Sequence, residues 1–257
     1  MVVVIRNLWA MTNRTIVLLV LLAFVTACAT TKQERRSRTA EDVFKEALDA
    51  FNDENWLEAT AQFDIIKLQF PASQYADDAQ YHLAEINFRR GEHVLGAYNY
   101  AMVRRLYPSS EYAKMALYKS AECYLNLSPP ADRDQDYTKK AIAAFGEFEA
   151  AYPQDSLAFE SARTIRELRD KLAERYLESA RHYTRSYSNK AAVIYYDAIL
   201  EEFPDSKHYE PALVEKIATL LAMRKRDDAR LAIDQYRRTV RTGTQRAEVD
   251  RLEEELR

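Results

Sequence analysis

Four aromatic–proline pairs punctuate this chain: Phe70-Pro71, Tyr107-Pro108, Tyr152-Pro153 and Phe203-Pro204. The prolines lie 37, 45 and 51 residues apart. Counting back from each proline gives a register. Twelve residues before it stand Ala59, Gly96, Ala141 and Ala192; eight before, Phe63, Tyr100, Phe145 and Tyr196; five before, Ile66, Val103, Phe148 and Ile199. Ala229, Ile233 and Tyr236 keep the same spacing, with Arg241 where a fifth proline would fall. A small residue followed by large ones at +4 and +7 puts all three on one helical face. The small side chain admits a neighbouring helix at close range, and proline, lacking an N–H, ends the helix. A chain with this register folds as stacked helical hairpins.

Composition narrows the options further. There are four glycines, where average usage of roughly 7% would give about 18. Hairpin sheets and phosphate-cradling loops both consume glycine, so a β-rich fold or a nucleotide-binding loop is disfavoured. No Gly-x-Ser-x-Gly, Walker or dinucleotide fingerprint occurs. The histidines (His82, His93, His182, His208) form no His-x-x-x-His pair and none neighbours Cys123, so no metal site is expected. Adjacent acids such as Asp77-Asp78 and Glu201-Glu202 point to different helix faces. The reading is a binding protein without enzymatic activity and without a cofactor. A net charge of −3 argues against nucleic acid as the main partner.

The small–aromatic–apolar–Pro order resembles the second half of a tetratricopeptide repeat, whose period is about 34 residues. Upstream helices fit the first half: Phe44, Ala47, Leu48 and Phe51, then Tyr81, Ala84 and Phe88. Ser73 and Ser110 are expected as N-caps of the helices that follow the first two prolines. Two excesses over the period are informative. Residues 127–136, with Pro129, Pro130 and three acids, read as a loop inserted in the third repeat, where Asp134 is expected to be dispensable for stability. No Gly or Pro occurs from Gln154 to Lys190, and the apolar spacing there predicts one helix of roughly eight turns. Val249, Leu252 and Leu256 mark a short amphipathic helix that caps the stack. The expected fold is all-α, a tetratricopeptide-like solenoid of about five repeats with a long helix in the fourth.

The N-terminus reads as an address. Residues 15–25 are an apolar run too short to span a bilayer but suited to a signal peptide, with Arg6 and Arg14 as the positive flank and Met1 or Met11 as the start. Val25-Thr26-Ala27-Cys28 ends the run and resembles a bacterial lipobox. That resemblance implies cleavage before Cys28, lipidation of Cys28 and, with Ala29 following, outer-membrane sorting. Removing residues 1–27 leaves 230 residues carrying 35 basic and 40 acidic groups. The expected divisions are a signal peptide (1–27), a lipidated tether (28–40), an N-terminal repeat block (41–153) and a C-terminal block with the long connecting helix (154–257).

The order of features is similar to the BamD (YfiO/ComL) family of outer-membrane assembly lipoproteins, over roughly residues 25–240. The most telling segments are Asp132-Arg133-Asp134-Gln135, Ala141-Ile142-Ala143-Ala144-Phe145 with Tyr152-Pro153, Leu168-Arg169-Asp170-Lys171-Leu172-Ala173-Glu174, and Ala180-Arg181-His182-Tyr183. The resemblance implies a lipid-anchored subunit at the periplasmic face of the outer membrane. It would bind a BamA-like barrel subunit through its C-terminal repeats, other assembly subunits, and unfolded outer-membrane proteins near its N-terminal repeats. Candidate partner-binding residues are Arg133 in the loop and Arg224, Arg230, Arg237 and Arg238 near the C-terminus, where Lys225, Arg226 and Arg241 add charge. That basic end suits an acidic partner surface or a solvated face. Where relatives carry Gly in the fourth hairpin, this chain has Ser186-Tyr187-Ser188-Asn189, and Asn189 is expected to take the left-handed conformation. The repeat style is also similar to periplasmic proteins of the YbgF/CpoB type, which coordinate envelope and cell-wall assembly; that family usually begins with a coiled coil. A glycan-binding lipoprotein like SusD is a further reading, but such proteins are much longer.

Overall fold

The computed structural model describes residues 38–256. The signal peptide, Cys28 and the tether up to residue 37 lie outside the described residues. Among the described residues there are eleven helices and no strand. They are α1 (Ala40–Asn52), α2 (Trp56–Gln69), α3 (Ala76–Arg89), α4 (His93–Leu106), α5 (Ala113–Leu127), α6 (Asp136–Ala151), α7 (Ser156–Arg185), α8 (Asn189–Glu202), α9 (Tyr209–Ala222), α10 (Arg226–Thr239) and α11 (Arg246–Glu254). Consecutive helices from α1 to α10 pack on one another, which gives five antiparallel hairpins in a row. The fold is the expected tetratricopeptide-like solenoid.

The register is the core. Ala59, Ala141, Ala192 and Ala229 are fully buried, as are Phe63, Tyr100, Phe145 and Tyr196 four residues on. Gly96 is also buried, and a Cβ there would lie 3.0 Å from Cys123 Sγ, so the small residue is a steric requirement. The end of each second helix follows from the same residues. In the first four hairpins the aromatic before the proline is the C-cap, near φ −130°, and its N–H bonds the carbonyl of Ile66, Val103, Phe148 or Ile199. Proline pushes its predecessor out of the helical region and withholds the next N–H, so the helix stops there.

Two local expectations need correction. Ser73 and Ser110 are not N-caps. A tight turn follows each proline, and α3 and α5 start three residues later behind Tyr75 and Tyr112, which make no side-chain cap bond. Ser110 Oγ instead accepts from the Tyr112 N–H at 3.1 Å inside that turn. The left-handed residue of the fourth hairpin is Tyr187 (φ 58°), while Asn189 opens α8. Asp134 Oδ1 accepts from the Asp136 N–H at 3.0 Å where the loop enters α6, whose N-cap is Gln135.

Glu54, Gly91, Tyr187 and Arg224 all sit at positive φ, each five residues before the small residue of its hairpin. In each case the next N–H reaches back to a carbonyl five residues earlier (Asn55 to Ala50, Glu92 to Asn87, Ser188 to Tyr183, Lys225 to Leu220). This is one helix-terminating turn used four times, with glycine in only one of them.

Helix α7 is 30 residues long, about 45 Å. Its first half buries Ala158 and Leu168 against α5 and α6, and its second half buries Leu172, Ala173, Leu177 and Ala180 against α8 and α9. Two cores thus share one continuous rod. The capping helix is present as α11, and its Val249 and Leu252, with Leu256 beyond it, join the core of the last two hairpins.

Candidate partner-binding surfaces

The segment from Leu168 to Arg175 has a structural job at nearly every position. Leu168, Leu172 and Ala173 face the cores. Arg169 pairs with Asp205 at 2.6 Å, donates to the Glu202 carbonyl at 2.8 Å and lies over the Phe203 ring. Asp170 accepts from Ser206 Oγ at 2.6 Å and from the Lys207 N–H. These two residues fasten the α8–α9 turn to α7. On the other side, Lys171 Nζ donates to Ser128 Oγ at 2.5 Å and to the Pro129 carbonyl at 3.0 Å. Burial pushes its pKa below the ordinary lysine value. Arg175 Nη1 donates to the carbonyls of Ala131 (3.1 Å) and Arg133 (2.6 Å). The inserted loop is therefore clamped onto the long helix.

Gln135 holds the loop from inside. It is buried, donates to the carbonyls of Pro130 (2.7 Å) and Arg133 (3.0 Å), and accepts from Thr138 Oγ1 at 2.7 Å. Between this loop, α7 and α8 opens a cleft of about 710 Å³ whose walls include Asp132, Glu174, Glu178, His182, Tyr183 and Tyr195. Tyr183 and Tyr195 stack with centroids 5.3 Å apart. Glu178 is paired with Arg181 at 3.0 Å and Arg175 also lines the cleft, which leaves Asp132 and Glu174 near the tyrosine stack to meet a cationic side chain presented by a partner.

The tyrosines of the register carry a feature that spacing alone did not suggest. Tyr100 is fully buried and donates to Glu85 Oε2 at 2.6 Å. Tyr196 donates to Glu215 at 3.2 Å, and Tyr236 to Glu210 at 2.8 Å. Glu215 also accepts two arms of Arg181, the closer at 2.7 Å. Burial and the adjacent carboxylate push the Tyr236 phenol up to about 12, and raise Tyr100 and Tyr196 as well. Gly243 lets the chain pass over the Tyr236–Glu210 bond, since a Cβ there would meet the tyrosine oxygen at 2.3 Å.

The candidate arginines do not converge. Arg133 is exposed on the loop, and only its backbone joins the clamp. Arg237 pairs with Asp250 (2.8 Å) and Glu253 (2.5 Å) and ties α10 to α11. Arg230 pairs with Asp227, and Lys225 with Asp228. Arg226 donates to the Leu256 carbonyl. Among the described residues Arg224 and Arg238 have no ion-pair partner; Arg224 lies by the α9–α10 turn and Arg238 beside the groove between α8 and α10. Much of the basic end is thus neutralised within the chain.

Among the described residues no group of His, Cys, Asp and Glu is arranged to hold a metal ion, and no helix is long and apolar enough to cross a membrane. Cys123 is buried, which pushes its thiol up to about 12, so it is no nucleophile.

Residues 36–234 match the YfiO family, described as outer membrane lipoprotein. The chain is 27% identical over 230 residues to the outer membrane protein assembly factor BamD of Neisseria meningitidis serogroup B, covering 83% of this chain and 85% of that one. It is 23% identical over 193 residues to the protein of the same name from Caulobacter vibrioides, covering 75% of this chain and 63% of the relative's length. Among solved structures, the tetratricopeptide domain of P58(IPK) matches 84% of the chain at 15% identity with a TM-score of 0.43.

Proposed function

This chain belongs to the YfiO family of outer membrane lipoproteins, and on that premise we propose that it is a scaffold, not an enzyme, in the assembly of β-barrel proteins into the outer membrane. Acylation at Cys28 holds it at the periplasmic face of that membrane. Its C-terminal hairpins bind the periplasmic domains of a BamA-like barrel subunit, with other assembly subunits alongside. Its N-terminal hairpins receive unfolded outer-membrane proteins. The family match across both repeat blocks carries this reading. The clamp is consistent with it. A rod that fastens the inserted loop on one side and the α8–α9 turn on the other keeps two binding ends at a fixed separation.

In this reading Arg224 and Arg238 meet the barrel subunit through free charge, and Arg133 stands at the rim of the cleft. Arg230 contributes less, being paired with Asp227. Arg237 supports the surface by holding α11. The test is depletion of the chain from its own cells. The fraction of outer-membrane β-barrel proteins recovered folded should fall, and expression of the chain should restore it. Unchanged barrel folding after full depletion would overturn the reading.

A further inference from the structure

Four more positions of the register face solvent in all five hairpins. They lie fourteen, ten, three and two residues before the proline, or before Arg241 in the fifth. Their chemistry changes along the stack. In α2 and α4 they include Leu57, Leu68, Val94, Tyr98 and Leu106, each at least half exposed, with exposed Leu95 beside them. In α8 and α10 the same positions include Lys190, Glu201, Glu202, Asp227, Arg238 and Thr239, with Ile194 and Leu231 as the apolar exceptions. Equivalent positions on adjacent hairpins lie side by side, so the first two hairpins present a joint apolar face. An exposed apolar face on neighbouring helices marks an interaction surface.

We propose that this face rests on the lipid surface that carries the chain's own anchor. The inference rests on the reading of Cys28 as acylated. The point where the tether enters the fold supports it: Arg38 pairs with Glu46 and donates to Gln62 of α2 at 2.8 Å, which fixes the chain's entry against α2. Arg38 lies ten residues after Cys28, and that stretch fully extended spans about 35 Å. The face therefore cannot stray far from the bilayer. Its composition also suits an interface. Aliphatic residues surround a tyrosine, and exposed Arg105 on α4 matches anionic headgroups. Glu58, the acid on the same side of α2, accepts a hydrogen bond from Gln62. The charged outer face of the last hairpins is then left to water and protein partners.

The test uses the full acylated chain in vesicles of phosphatidylethanolamine and phosphatidylglycerol. A nitroxide is attached at Tyr98→Cys or, as the equivalent position in the fifth hairpin, at Leu231→Cys; Cys123 is buried and does not compete. Mass spectrometry reads the acyl chains on Cys28 first. An unmodified Cys28 overturns the anchor and this proposal together. With the anchor in place, collisions with a water-soluble nickel chelate should fall several-fold at position 98 and collisions with oxygen should rise, while position 231 stays open to water. Equal access at the two positions overturns this proposal alone, and so does label–label broadening at 98, which would mean that a second copy covers the face.

Discussion

Removing one oxygen tests the core most sharply. In Tyr100→Phe the ring still fills its fully buried site, but Glu85 loses the donor 2.6 Å away. Glu85 is only 14% exposed, and its other partners are Arg89 at 3.7 Å and the Tyr81 hydroxyl. A hydrogen bond to an ionised group contributes about 1.5–3 kcal/mol, and a carboxylate this enclosed recovers little from water. The expected loss is about 2 kcal/mol. For a chain of this size that lowers Tm by about 4–8 °C. The third hairpin supplies the converse experiment. Tyr118 and Phe145 repeat the geometry of Tyr81 and Tyr100, both with centroids 5.7 Å apart. Glu122 stands where Glu85 stands, but its Oε2 is already paired with Lys119 at 2.8 Å. Phe145→Tyr adds a second donor to a carboxylate that Lys119 already serves, so the gain in stability should be smaller, about 0.5 kcal/mol. Both changes are read by thermal and urea unfolding. A Tyr100→Phe chain within 0.5 kcal/mol of the parent, on the order of ordinary surface changes, or a destabilised Phe145→Tyr chain, would refute the reasoning.

Tyr187→Gly should stabilise by about 0.5–1 kcal/mol in urea unfolding, because it relieves a Cβ held at φ 58°. Ala141→Leu should overpack the third hairpin and cost about 1–3 kcal/mol. Asp134→Ala removes one exposed hydrogen bond and should cost less than about 1 kcal/mol, so calorimetry should rank Ala141→Leu as the more damaging of the two. His82 is stacked on Phe63 and packed edge-on against Phe51, and burial lowers its pKa below the ordinary 6.5. The unfolded chain takes up this proton below pH 6.5 while the folded chain resists it, so the contribution is complete above pH 6.5 and is lost as pH falls. His82→Phe should therefore flatten the decline in stability between pH 7 and pH 5, measured by urea unfolding at each pH.

The register, the loop and the long helix were legible because each is written in local spacing. The residues at +4 and +7 face inward by helix geometry alone, and the absence of Gly and Pro after Gln154 foretold α7. What was not legible depends on which helices meet. The Tyr100–Glu85 and Tyr236–Glu210 bonds cross between helices, so the hydroxyls read only as core aromatics. Arg237 looked like a free charge until α11 brought Asp250 and Glu253 beside it. The left-handed turns were hidden because Glu54, Tyr187 and Arg224 carry no glycine signal, and only their common distance from the small residue reveals them. Ser73 and Ser110 misled because the turn after each proline takes up residues before the next helix can begin.

The role in barrel assembly is tested most directly by affinity purification of the chain at its native level from detergent-solubilised envelopes, followed by protein identification. The account predicts that a barrel-assembly subunit of the outer membrane co-purifies. It also predicts that charge reversal at Arg224 and Arg238 weakens this recovery, more strongly at low salt, with the fold intact. Recovery of peptidoglycan or Tol-type partners with no barrel-assembly subunit would contradict it.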